Sequence, residues 1–205
     1  MPTLVIETAT AACSVALIDG GRVVARAHEL VGRGHAERLV PMIAELPGGG
    51  RADRILVDCG PGSFTGIRVG IAAARGLGLG WGVPVSGCSS LALVAAAAFA
   101  ARPELDRVAA VIEGGHGEVF MQAFETPLLP LGDLASLSPQ AALARLDGMA
   151  AFGSGVARLL AIEPALDATD ALPDAAEAWR LPPELAALLP RPLYGRAPDA
   201  KVAGG

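Results

Sequence analysis

The sequence predicts an α/β chain folded as two lobes, each a mixed sheet carrying helices, and three observations lead there. The first hundred residues read as three strand-like segments followed by helix, strand, helix, strand and helix. Arg102-Pro103 then ends a helix, because proline disfavours helical geometry at the residue before it. Beyond that break, two strand-like runs joined by a glycine-rich turn repeat in shorter form the hairpin that opens the chain. The expected lobes are residues 1–102 and 103–189.

Each element has its own warrant. Thr3 to Glu7, Cys13 to Asp19 and Arg22 to Leu30 are short runs rich in valine and leucine, and Asp19-Gly20-Gly21 supplies a hairpin turn between the last two. Gly34-His35 leads into Ala36 to Leu46, where Leu39, Val40, Ile43 and Leu46 recur at helical spacing until Pro47-Gly48-Gly49-Gly50 stops them. Ile55 to Cys59 is a compact apolar run, and therefore a buried strand. After it, Ser63 or Thr65 can accept from the free amides of a new helix, Arg68 sets a cation near that end, and the helix runs to about Leu79. A strand at Val83 to Cys88 and a helix from Ser89 or Ser90 to Ala101 complete the lobe. This order suits an actin-like or ribonuclease-H-like lobe.

In the second lobe, Val108 to Ile112 and Glu118 to Phe124 are joined through Gly114-Gly115-His116-Gly117. Ser138-Pro139 opens a helix through Leu146, Ala150 to Phe152 is a short strand, and Gly155 to Ile162 is helical. The last forty residues are dotted with proline and less regular.

Composition narrows the function. A chain of 205 residues with 52% hydrophobic content can build one large core or two small ones. Mean hydropathy is +0.48, yet the surplus is spread over alanine and glycine, and no run reaches the roughly 18 uncharged apolar residues of a membrane span. Met1-Pro2-Thr3 enters a strand without a basic, cleavable leader, so a cytoplasmic chain is expected. Cys13, Cys59 and Cys88 sit in apolar runs without paired spacing and read as small buried hydrophobes. The net charge is -5, Lys201 is the sole lysine among 16 basic residues, and aromatics are 4%, which argues against a free-standing nucleic-acid binder.

The richest stretch is Gly60-Pro61-Gly62-Ser63-Phe64-Thr65-Gly66-Ile67-Arg68-Val69-Gly70, a strand-to-helix turn. Such turns cradle phosphate when bare amides and the helix dipole converge. Here the Gly-Lys-Ser/Thr triplet is absent, and Gly66 follows Gly62 by four positions where the dinucleotide fingerprint needs three. Tight turning and close helix packing is the preferred reading. Further on, Gly66, Gly70, Ala74 and Gly78 form a ridge with almost no side chain, open either to a partner's helix or to the chain's own sheet. His28, His35 and His116 form no H-E-x-x-H pair, Ser63 and Ser89 lack the G-x-S-x-G frame, and Cys88 reads as a structural thiol.

GPGSFTGIRVG at Gly60 to Gly70, with VIETATAACSVAL at Val5 to Leu17 and IEGGHGEVFMQAF at Ile112 to Phe124, resembles the TsaB (YeaZ) family across most of the chain. The resemblance implies a two-lobe actin-like, HSP70-like fold. It also implies a subunit of the bacterial machinery that puts threonylcarbamoyl on the adenosine beside the anticodon of tRNAs. The implied role is a non-catalytic scaffold that binds and activates a TsaD-like transferase, with a TsaE-like ATPase joining them and tRNA met only through the complex. This subunit would need no cofactor, with ATP or ADP and a metal belonging to the partners, and it would pair with itself when the partner is absent. Pairing in the family uses the first two helices, so His35, Leu39, Met42, Ile67, Gly70, Ile71 and Ala74 are the expected interface. Pro192-Leu193-Tyr194-Gly195-Arg196, within the tail 190–205, resembles the family's return to the first lobe.

Nucleotide-binding relatives of that architecture grip phosphates with acidic-glycine turns, one in each lobe. At the corresponding places this chain has Glu7-Thr8-Ala9-Thr10, without glycine, and Glu113-Gly114-Gly115, with glutamate where aspartate is usual; Gly153-Ser154-Gly155 would approach an adenosine. Glu7, Thr10, Glu113, Gly114 and Gly153 are therefore a degenerate nucleotide site, and weak nucleotide binding or none is expected. The alternative is a nucleotide-dependent enzyme of the kinase-like actin superfamily that uses these residues. Least favoured is a glycoprotease-like peptidase, because the paired metal histidines of TsaD have no counterpart here.

Overall fold

The computed structural model describes residues 1–193. Three strands open it as an antiparallel meander: β1 (Thr3–Glu7), β2 (Ala12–Asp19) and β3 (Arg22–Leu30). Gly20 and Gly21 turn the second hairpin at φ of 57° and 73°, a region costly for any side chain. Helix α1 (His35–Glu45) leads to β4 (Arg54–Asp58), helix α2 (Phe64–Trp81) to β5 (Val85–Cys88), and helix α3 (Ser90–Ala101) leaves the sheet. β4 lies parallel to β1 and β5 parallel to β4, giving the order β3-β2-β1-β4-β5.

The second sheet repeats this plan. β6 (Arg107–Glu113) pairs antiparallel with β7 (Val119–Glu125) and parallel with β10 (Ala150–Phe152), as β1 does with β2 and β4. The order is β11 (Ala168–Thr169), β10, β6, β7 and β8 (Leu129–Pro130), with β9 (Ala135–Leu137) also on β7. Helices α4 (Pro139–Arg145) and α5 (Val156–Leu160) cover its outer face, where Val111, Met121, Ala142 and Leu159 are buried together. The expected architecture, two lobes that are each a mixed sheet with helices, is what the structure shows.

Helix α3 is the shared wall. Leu91, Ala95 and Ala98 pack with Val108, Ala110, Phe124 and Phe152 of the second sheet, whereas Leu93 packs with Val5, Ala16 and Leu56 of the first. A helix buried on both sides needs apolar residues all round, which is why SLALVAAAAFAA shows no polar stripe. The division at Arg102 is therefore crossed by α3, and it is crossed again further on. Residues Ala175–Arg180 form a 3-10 turn lying on the first sheet, pinned where the Ala175 amide donates to Ser14 Oγ at 2.9 Å. Leu188 bridges to Gly87 and the Leu193 amide donates to the Cys59 carbonyl at 2.8 Å, so the described part of the tail runs along the first lobe. Tyr194 to Arg196 of the expected tail motif lie outside the described residues.

Several boundaries moved for local reasons. Helix α2 runs past Leu79 to Trp81 because Gly82, at φ 70°, supplies the left-handed cap, and the next strand starts two residues late, at Val85. The helix expected from Gly155 to Ile162 is confined to Val156–Leu160. β8, β9 and β11, of two or three residues each, were not foreseen.

The ridge on α2 faces inward. A Cβ on Gly66 would fall on the carbonyl oxygen of Thr8, one on Gly70 on Thr8 Oγ1, and one on Gly78 on the Val85 side chain. Across α1 and α2, His35, Leu39, Met42, Ile67, Gly70, Ile71 and Ala74 are all buried within the lobe. Their expected role as partner-facing residues is corrected: they are the core that seats the two helices on the sheet. Gly76 and Gly80 of the same helix face open space.

Opposite signs follow for two like substitutions. Gly70→Ala overpacks the seam and is expected to cost about 1–3 kcal/mol, lowering Tm by roughly 2–4 °C per kcal/mol at this chain length. Gly76→Ala meets no neighbour and is expected to raise stability by up to about 1 kcal/mol through helix propensity alone. Thermal melts of both variants against the parent check the pair.

Candidate functional site

The two lobes leave a cleft of about 500 Å³ at the ends of β1 and β6, walled by the first hairpin turn, the glycine motif and the turn after β6. Thr10, Arg33, Ser63 and Phe64 line it from the first lobe, and Glu113, Gly114, Gly115, Phe120 and Ser154 from the second. The structure thus brings together three of the five residues expected at a degenerate nucleotide site, Thr10, Glu113 and Gly114. Glu7 and Gly153 are not among its walls. Gly153, at φ 126°, lies against the Val111 carbonyl, where a Cβ would collide with that oxygen. Its neighbour Ser154 reaches the cleft and accepts the Glu113 amide at 3.2 Å.

The motif turn is held by bonds and close contacts within the chain. Ser63 caps α2 by accepting the Gly66 amide at 3.2 Å, so of the two candidate caps the serine is the one used. The Ser63 amide donates to the Ala9 carbonyl at 2.6 Å and the Ile67 amide to the Ser63 carbonyl at 3.0 Å. Thr8 Oγ1 donates to the Gly66 carbonyl at 2.8 Å, and a Cβ on Gly62 would collide with the Ala9 carbonyl. Of the amides at this helix end, those of Ser63 and Gly66 are already bonded within the chain. Arg68 folds over its own helix, with its guanidinium 3.1 Å from the Phe64 ring centroid and donating to the Phe64 carbonyl at 3.2 Å.

The acidic residues are committed as well. Glu7 is fully buried at the end of β1, where Oε1 accepts the Ala9 amide at 2.7 Å and Oε2 lies 3.1 Å from the Ser14 hydroxyl that donates to it. Burial first, and then the neighbouring Asp58, pushes its carboxyl well above the usual range. Asp58, equally buried at the end of β4, accepts the Gly60 amide at 2.8 Å and the Ser90 hydroxyl at 2.7 Å, and burial moves its pKa up to about 7 against the lowering effect of those bonds. Glu113 is held by the Arg158 guanidinium, 2.5 Å from Nη2. Among the described residues no group of three histidine, cysteine, aspartate or glutamate side chains is placed to hold a metal ion.

The remaining candidates are structural. His35 is buried and donates from Nε2 to the Ala12 carbonyl at 2.9 Å, tying the start of α1 to β2. The thiols of Cys13, Cys59 and Cys88 are free and buried, and burial raises all three, Cys13 and Cys59 to about 12, which keeps them protonated and unreactive. Sequence reasoning missed Asp58, Ser14 and Ser90, which anchor Glu7's surroundings, although an acid closing the apolar run Ile55 to Asp58 was a visible signal. It also missed the outward faces of α1 and α2, where Val40, Phe64 and Leu79 are 57%, 66% and 87% exposed.

Comparison with known proteins adds a second line. The family model TsaD, described as tRNA N6-adenosine threonylcarbamoyltransferase, matches residues 27–131. The tRNA threonylcarbamoyladenosine biosynthesis protein TsaB of Escherichia coli K12 is 40% identical over 131 residues, covering 61% of this chain and 55% of that protein. The protein of the same name from Haemophilus influenzae is 39% identical over 122 residues, covering 57% and 51%. The chain thus spans about half the length of the curated relatives it matches. The solved structure of YeaZ from Pseudomonas aeruginosa superposes with a TM-score of 0.77 at 30% identity, over 94% of this chain and 99% of that one. A second Pseudomonas aeruginosa structure, described as an uncharacterized protein with similarity to peptidase YEAZ, gives 0.79 at 28% identity, over 95% and 99%.

With Glu7 outside the cleft and Glu113 paired to Arg158, the described lining offers ATP with magnesium no unpaired carboxylate. Calorimetric titration of the purified chain is expected to give dilution heat only. Saturable, magnesium-dependent heat would favour the nucleotide-enzyme alternative instead.

Proposed function

The chain belongs to the TsaB (YeaZ) family, related to TsaD, and on that premise we propose that it is a non-catalytic subunit of a tRNA threonylcarbamoyladenosine-forming complex. In this role it works in the cytoplasm, binds and activates a TsaD-like threonylcarbamoyl transferase, shares the complex with a TsaE-like ATPase, and meets tRNA only through its partners. It requires no cofactor of its own; ATP or ADP and a metal belong to the partners. The observation that carries the reading is the commitment of the two glutamates expected at a nucleotide site: Glu7 is buried on Ser14 and Ala9 away from the cleft, and Glu113 in the cleft is paired with Arg158. A carboxylate consumed in that way is not free to ligate an activating metal. The acid excess and scattered arginines support the indirect contact with tRNA.

The partner surface in this proposal is the outer face of α1 and α2, not the ridge beneath it. Val40, Phe64 and Leu79 provide exposed apolar area, and Gly76 and Gly80 leave a flat track along which another helix can approach closely.

Two measurements test this. The purified chain, supplied with threonylcarbamoyl-adenylate and tRNA, is expected to transfer nothing until a TsaD-like subunit is added; turnover by the isolated chain would sink the proposal. Gly76→Leu is expected to lose the TsaD-like partner in pull-down while melting no lower than the parent, because overpacking at an interface costs about 1–3 kcal/mol. Retention of the partner by that variant would move the interface elsewhere.

A further inference from the structure

Glu7 and Asp58 end two neighbouring parallel strands, in register through Ile6 and Val57, and both are fully buried. Each accepts one amide and one serine hydroxyl. Their groups reach different parts of the molecule. Ser14, which donates to Glu7, also accepts the Ala175 amide of the returning 3-10 turn. Ser90, which donates to Asp58, is the first residue of α3, and its own amide donates to the Gly60 carbonyl. Two adjacent acids in a dry interior therefore anchor the returning segment, the shared helix and the motif turn.

Among the described residues neither acid forms an ion pair. The charged and titratable groups facing Glu7 and Asp58 are Asp174 ahead of the 3-10 turn, Cys13 on β2, Cys59 after β4 and Cys88 at the end of β5. Two bases in the neighbourhood act on other groups: His28 lies 3.4 Å from Asp174, and Arg75 acts on Cys59 and donates to the Pro190 carbonyl. Two bare negative charges side by side in such a site cannot both persist without water.

We propose that the buried pair Glu7 and Asp58 keeps a proton on one of its two carboxyls and that this proton acts as a latch: while it is held, Ala175–Arg180 and the start of α3 stay seated on the first sheet, and when it leaves, the returning segment lifts to admit water. The segment is the wall that yields, because it is a single 3-10 turn held by Ser14 and small alanines, whereas the other walls are sheet and long helix. Glu7 also holds the amide of Ala9, which lines the interlobe cleft. Ionisation thus reaches the cleft as well. Both acids sit above their ordinary range, so the latch is intact at low pH and is lost as pH rises through the folded-state value, about 7 for Asp58.

Hydrogen exchange on the full chain, corrected for intrinsic rates, tests it. Between about pH 6 and about pH 9, exchange of the peptide covering 174–181 is expected to rise roughly tenfold, while β6 and β7 stay unchanged. Asp58→Asn, which keeps the acceptor and cannot ionise, is expected to flatten that rise. Flat exchange in the parent, an equal rise in β6 and β7, or a rise that survives in Asp58→Asn overturns the latch. If Asp58→Asn does not fold, Glu7→Gln takes its place, and the parent's profile decides in either case.

Discussion

The close approach of α2 to the turn after β1 is the contact on which the rest depends. Gly62, Gly66 and Gly70 have no side chains because the backbone and hydroxyl of Thr8 and Ala9 occupy the space. That contact is drawn tight by Thr8 Oγ1 on the Gly66 carbonyl and by the Ser63 amide on the Ala9 carbonyl. Once α2 is fixed, the ends of β1 and β4 are fixed beside it, and with them the floor under Glu7 and Asp58. The first wall of the interlobe cleft is a consequence of this seam, since Thr10 and Ser63 are both set by it.

A second constraint is the burial of α3 from both sides. A helix that packs with Leu93 toward one sheet and Leu91 toward the other couples the lobes through a single rigid element. The returning turn Ala175–Arg180 reinforces the coupling, since Ala175, Ala176 and Ala178 share a buried cluster with Leu93, Val5 and Leu56. The lobes therefore repeat one topology, each with its own outer cluster, but are joined through the clusters on either side of α3, and a cut at Arg102-Pro103 would expose the apolar face of α3.

Much of this was legible in the residues. Glycine and proline punctuate the turns at Gly20-Gly21, Pro47 to Gly50 and Gly60 to Gly62, so the strands and helices of the first lobe fell within a few residues of their places. What periodicity could not supply was direction. A four-residue ridge of small side chains looks the same whether it meets a partner or its own sheet, and only the position of Thr8 decides for the latter. Strands of two or three residues such as β8, β9 and β11 are too short to show alternation. The alanine-rich return at Ala175–Arg180 carries too little pattern to reveal what it covers. At the site, the turns carrying Thr10 and Glu113 line one cleft, while Glu7 lies outside it because its burial depends on Ser14, seven residues on and across a hairpin.

The fate of the acids argues for what the cleft has become. An acid that serves a metal or a phosphate must present its oxygens to solvent and keep them free. Glu7 instead turns both oxygens into its own hairpin, and the same geometry that satisfies them pins the returning segment through Ser14. Glu113 remains at the cleft, but its charge is taken up by Arg158. What the two positions now supply is attachment: one holds the lobes together, the other holds α5 against the turn after β6. Of the charged residues lining the cleft, Glu113 braces its own wall, and the apolar, glycine-bearing outer face of α2 begins at Phe64, on the rim of that cleft.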